Sequence, residues 1–183
     1  QHYSIAQTPT MGLMQFGNGD YPGYVLYNPI SYTNTYLIDK CGYKIREWQS
    51  SYNSGLSAYL LADGSLLRAG NTNNATFNTG GKGGIIEKTS FNGAFLWSYQ
   101  ISSTTECQHH DVIAMPNGNF LALVWEKKTL PLATANGRNP ALLGANIWAE
   151  KIVELQPVGT NSANIVWEWH AWDHLVQEYD STK

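Results

Sequence analysis

Two β-hairpin patterns alternate along this chain, and no other feature restricts its fold so severely. The first reads Ser57-Ala-Tyr-Leu-Leu-Ala-Asp63-Gly64-Ser-Leu-Leu-Arg68 and returns as Asp111-Val-Ile-Ala-Met-Pro-Asn117-Gly118-Asn-Phe-Leu-Ala122, with turn glycines 54 residues apart. Asp-Gly and Asn-Gly between apolar runs are strong hairpin signals, because both residues tolerate positive φ. The second pattern occurs three times: Tyr36 to Trp48 around Gly42, Ile85 to Tyr99 around Asn92-Gly93, and Ile152 to Trp169 with a short insertion after Gly159. Each return strand ends in a pair spaced by two, Arg46/Trp48, Trp97/Tyr99 and Trp167/Trp169, so each pair shares one face of its strand. One hairpin of each type makes a four-stranded antiparallel unit of roughly fifty residues, the size of a propeller blade.

The expected fold is therefore all-β, a β-propeller segment of about two and a half four-stranded antiparallel blades. Residues 1–23 form an N-terminal extension, 24–50 a half blade, 56–100 a full blade, and 109–170 another with a long loop over 127–149. Residues 171–183 start a connection to a further blade. An antiparallel sandwich also supplies many short strands, but has no reason to repeat its hairpins in this order. Propellers close with four to eight blades, so either further blades or other copies or chains complete the ring.

Composition narrows the partners. Charged residues make up 14%, aromatic residues 13%, and net charge is -3. No basic field gathers nucleic acid or anionic lipid. No stretch reaches the ~18 apolar residues that cross a bilayer, so no membrane insertion is expected. Gln1 to Thr10 lack the basic start and apolar run of a signal peptide, which suits a processed end. Little Lys and much Asn, Thr and Tyr suggest a secreted or periplasmic setting. Asn74-Ala75-Thr76 is a formal glycosylation sequon. Cys41 on an outer turn and Cys107 ahead of an inner strand fall at opposite ends of adjacent blades, too far apart for a disulfide.

Polar chemistry concentrates at His109-His110-Asp111, at the start of an inner strand and so at the mouth of the expected channel. One repeat earlier stand Gly55 and Leu56, so the repeat does not demand the histidines. Adjacent strand residues point to opposite sides, so at most one histidine is expected to face the channel, and Asp111 is placed to fix a tautomer. Two loops should open on the same end. Gly80-Gly81-Lys82-Gly83-Gly84 offers backbone amides and Lys82 to an anion, or serves simply as a flexible turn. The 127–149 loop carries Lys127, Lys128 and Arg138, whose forked cation suits a tetrahedral oxyanion. His170 and His174 have the spacing of a helical metal pair but lack a third ligand, so no metal and no cofactor is expected.

Three runs carry a family resemblance: Tyr32-Thr-Asn-Thr-Tyr-Leu-Ile-Asp-Lys-Cys-Gly42, Gln108-His-His-Asp-Val-Ile-Ala-Met-Pro-Asn-Gly118 and Ala133-Thr-Ala-Asn-Gly-Arg-Asn-Pro140. They resemble secreted bacterial arylsulfotransferase-like proteins of Bacteroidetes type, over about residues 24 to 180. The resemblance implies a six-bladed propeller that passes a sulfuryl group from an aryl sulfate to a phenolic acceptor through a sulfohistidine, without a nucleotide donor. Of that catalytic set it carries over only the His-His-Asp histidine, His110 in preference to His109. The sulfated histidine, a further histidine and the arginine are expected on later blades, which leaves the isolated chain inactive. The competing expectation is an extracellular structural or binding protein that assembles through its sheet edges.

Overall fold

The computed structural model describes residues 19, 23–142, 144, 146–176, 179, 180 and 182. Most of the extension expected over 1–23, including Gln1 to Thr10, and parts of 171–183 lie outside the described residues. The chain is all-β, with three antiparallel sheets following one another in sequence. Sheet 1 contains β1 (Tyr24–Tyr27), β2 (Asn34–Asp39) and β3 (Lys44–Gln49). Sheet 2 is the meander β4 (Asn53–Leu60), β5 (Leu66–Asn71), β6 (Gly84–Thr89) and β7 (Phe95–Gln100). Sheet 3 repeats that order with β8 (Glu106–Ala114), β9 (Phe120–Lys128), β10 (Ile147–Val158) and β11 (Ser162–His170).

Three local differences from the sequence reading have physical causes. Sheet 1 has three strands rather than a single hairpin, because the short run Tyr24–Tyr27 pairs with β2; four residues are too few to show a period. The 127–149 segment is not a bare loop. β9 reaches Lys128, β10 starts at Ile147, and α1 (Leu130–Ala135) and a 3-10 turn at Pro140–Leu142 lie between. The Asp-Gly and Asn-Gly turns place only their glycines at positive φ, Gly64 at 78° and Gly118 at 87°.

Those turns share one form. Leu61 N–H donates to the Ser65 carbonyl at 2.8 Å and Gly64 N–H to the Leu61 carbonyl at 2.9 Å; Met115, Gly118 and Asn119 repeat the pair. The outer hairpins at Asp39 to Tyr43 and Ser90 to Ala94 use the same two bonds. This is a type I turn followed by a left-handed glycine, the usual three-residue hairpin loop, and it accommodates Pro116 at the first corner.

The sheets stack face on face, as their two apolar faces require. Leu37 and Trp48 of sheet 1 pack with Leu66 of sheet 2. The larger core joins Leu67, Ile86 and Trp97 of sheet 2 to Phe120, Val124 and Leu155 of sheet 3. Indole donors tie the outer ends together. Trp48 Nε1–H reaches the Ser90 carbonyl at 2.9 Å, and Trp97 Nε1–H reaches the Ser162 carbonyl at 2.8 Å. Between sheets 1 and 2 the buried Arg68 meets Glu87 at 3.0 Å and the Tyr52 carbonyl at 3.1 and 3.2 Å. Cys41 is exposed on the β2–β3 turn and Cys107 is buried within β8, both as free thiols.

Trp97→Phe keeps most of the packing and deletes one bond between sheets. It should cost about 1 kcal/mol, the net worth of one hydrogen bond, read as a lower urea midpoint with an unchanged slope.

Candidate functional site at the bulge of β8

His109 and His110 lie inside β8, which begins at Glu106, not at its first residues. Pairing with β9 runs through Gln108↔Val124, breaks, and resumes at Val112↔Ala122. The intervening residues form a bulge in which His110 adopts φ 50°. β4 has the same break between Ser54 and Ala58, with Leu56 at φ 83°. The bulge thus belongs to the repeat, and the two imidazoles are what this sheet adds to it.

The glycine loop holds the bulge from the other side. His110 N–H donates to the Gly81 carbonyl at 2.7 Å and Gly83 N–H to the Gln108 carbonyl at 3.0 Å, while Gly84 N–H donates to Gln108 Oε1 at 3.1 Å. A Cβ on Gly81 would enter the His110 ring, and one on Gly83 would strike Gln108 Oε1. The glycines are therefore a close-packed backbone contact, and the Gly83 and Gly84 amides already have acceptors. Lys82 pairs with His109 through the backbone and donates its ammonium to Asn78 Oδ1 at 2.9 Å.

Because the bulge breaks strand alternation, both histidines meet the same indole, against the expectation that only one could face the site. His109 is 3% exposed and stacks on Trp125 with centroids 4.0 Å apart and planes 9° apart. His110 is exposed and approaches the same ring edge-on at 5.9 Å. Their Nδ1 atoms lie 2.9 Å apart. Phe77 and Trp148 complete the aromatic floor around Trp125.

Glu150 closes the group. Its Oε1 accepts from Trp125 Nε1–H at 3.1 Å, and its Oε2 lies 2.7 Å from His109 Nε2. That second contact is close but out of line with the ring N–H, so Nε2 has no aligned hydrogen bond among the described residues. The contact is electrostatic, because a charge acts at 2.7 Å whatever the angle. Burial pushes the His109 pKa below the ordinary 6.5, the attraction of Glu150 opposes this, and neighbouring His110 lowers it further. The net direction is down, so His109 is neutral at pH 7.

Asp111 does not orient either imidazole. Its carboxylate accepts from the Tyr59 hydroxyl of sheet 2 at 3.0 and 3.2 Å and from Val112 N–H at 2.8 Å, which links the two inner strands. The expected anion binders separate as well. Trp125 pairs with Glu150 across the β9–β10 ladder, whereas Glu126 pairs with Ala149 and Lys128 with Ile147; these latter residues project from the opposite face. There Lys128 meets Glu126 at 3.0 Å and sits 5.2 Å above Trp172. Arg138 lines a pocket of about 310 Å³ with Ile147, Ala149 and Trp172 on that side. His170 Nδ1 lies 3.1 Å from Glu126 Oε2, and His174 stacks on Trp169, so these two histidines do not converge. Among the described residues no cluster of three or more His, Cys, Asp or Glu is arranged to hold a metal.

The β8 site thus brings together His109, His110 and Gly81 with Trp125 and Glu150, which the sequence reading missed. It leaves Arg138, Lys128, His170 and His174 elsewhere. The one signal for Glu150 was its place opposite Trp125, and that register is invisible across the long 127–149 insertion. Chemically, the site offers an exposed imidazole for proton transfer or nucleophilic attack, backed by a neutral imidazole and a carboxylate. No protein-family model and no curated protein matches this chain.

Two outcomes follow. Below pH 6.5 the unfolded chain protonates His109 while the folded chain resists, so stability falls as the pH drops from 6.5 through the lower folded value. Chemical denaturation from pH 7 to pH 5 should show that slope, and His109→Phe should reduce it. Gly81→Ala combines φ 84° with a clash on His110. It should lower stability by at least about 1 kcal/mol and shift the His110 ring resonances.

Proposed function

We propose that this chain forms one wall of an arylsulfotransferase-like site, in which a sulfuryl group passes from an aryl sulfate to a phenolic acceptor. The observation that carries the reading is the paired imidazoles, one buried, the other open to solvent. Their positions agree with the His-His-Asp run on which the resemblance rests. An exposed imidazole can take the proton of a phenol as its oxygen attacks sulfur, and the aromatic floor suits flat donors and acceptors. Charge on the moving sulfuryl oxygens must be met by groups outside this wall, because Arg138 and Lys128 lie on the other face of sheet 3. A complete site therefore needs further blades, and the setting proposed for it is secreted or periplasmic.

The test supplies 4-nitrophenyl sulfate and phenol to the propeller that contains these sheets, and follows nitrophenolate release. His110→Ala should reduce turnover by about 100-fold or more, the lower end for losing a general acid or base. Absence of release, or release unaffected by both His110→Ala and His109→Ala, would reject the reading.

A second reading, an extracellular structural or binding protein without catalysis, draws on the outer face of sheet 3. Trp167 and Trp169 there are 47% and 37% exposed, on the strand that corresponds to those whose indoles tie sheet 1 to sheet 2 and sheet 2 to sheet 3. That reading expects self-association, and a monomer in light scattering across the micromolar range would exclude it.

A further inference from the structure

We infer that Glu150 is a positioning residue that sets the tautomers of both histidines, leaving the bare lone pair of the site on His110 Nε2. Two ring nitrogens 2.9 Å apart, His109 Nδ1 and His110 Nδ1, require a single proton between them. If His109 donates that proton, its own Nε2 is a bare lone pair 2.7 Å from the Glu150 carboxylate. Two electron-rich atoms in a site that is closed on the His109 side repel each other strongly. If His110 donates it, His109 carries its proton on Nε2, and a positive N–H close to the carboxylate, though out of line with it, turns the repulsion into attraction. The second pattern is the stable one.

Three further contacts hold this arrangement in place. Trp125 Nε1–H fixes Glu150 through Oε1 at 3.1 Å, and the face of the same indole fixes the plane of His109. Gly81 anchors the His110 backbone at 2.7 Å, with its Cα hard against the ring. The groups facing the pair are thus Glu150 from β10, Trp125 from β9, and the Gly81–Lys82 segment, whose ammonium is turned to Asn78. When His110 Nε2 accepts a proton, the ring becomes an imidazolium still donating from Nδ1 to His109.

The inference rests on His110 as the reactive imidazole of the proposed site, but its test does not need turnover. In 15N-histidine-labelled protein near neutral pH, long-range proton–nitrogen correlation spectra should place the proton on Nε2 of His109 and on Nδ1 of His110. Glu150→Ala should shift His110 toward the tautomer mixture of free imidazole, while Glu150→Gln, whose amide oxygen accepts from Trp125 Nε1–H and whose NH2 then faces His109 Nε2, should move the protons to Nδ1 of His109 and Nε2 of His110. Diethyl pyrocarbonate, which acylates a bare imidazole nitrogen, should modify His110 and spare buried His109, about tenfold more slowly in Glu150→Ala, the scale for losing an orienting partner. A wild-type spectrum with the His110 proton on Nε2, or a pattern unchanged in Glu150→Ala, would overturn the inference. Failure of sulfuryl transfer with these tautomers intact would reject the proposed substrate and leave the inference standing.

Discussion

Everything in this chain depends on the need of each sheet to bury both faces. A four-stranded meander with Leu66, Arg68 and Glu87 on one side and Leu67, Ala69 and Ile86 on the other has no solvent face to spare. It is stable only between two neighbours. The apolar contact between sheets 2 and 3 supplies the bulk of the burial, and the indoles of Trp48 and Trp97 set how one sheet meets the next. A hydrophobic face alone would permit sliding. A directed bond from an indole to a particular carbonyl does not.

Stacking also creates the site. β4 and β8 touch where sheets 2 and 3 stack, and both strands bulge at the same place. In β4 the bulge presents Gly55 and Leu56. In β8 it presents two histidines, and the left-handed turn at His110 brings side chains together that a regular strand would point apart. The same backbone irregularity is structural in one sheet and chemical in the other, so substitution of side chains on a repeated bulge is enough to create a site.

Polar groups on sheet 3 divide by face. Glu150, His109 and Trp125 share one side. Lys151 on the other side is buried yet held with its pKa raised: burial pulls it down, and the ion pairs with Glu106 and Glu168 outweigh that pull. Lys128 and Arg138 of the 127–149 segment go with this second group, whereas Lys127, opposite Trp148, is on the Trp125 side. Proximity in sequence to the histidine strand therefore said little about sharing its chemistry, because a strand sends alternate residues to opposite sides.

The hairpin order, the turn glycines at 42, 64, 93 and 118, and the prominence of His109 and His110 were legible in the residues themselves. Turn conformation and strand alternation are set by a few neighbouring residues, so they survive translation from one sequence without knowledge of the rest. β1 escaped notice because four residues carry no period. Only the tertiary structure decided that both histidines lie on Trp125, that Glu150 stands behind them, that Asp111 serves Tyr59, and that Arg138 and Lys128 face away. Each of those facts depends on a register or a loop contact between residues 15 to 52 positions apart. Such contacts are chosen by how whole sheets pack, which no local pattern encodes.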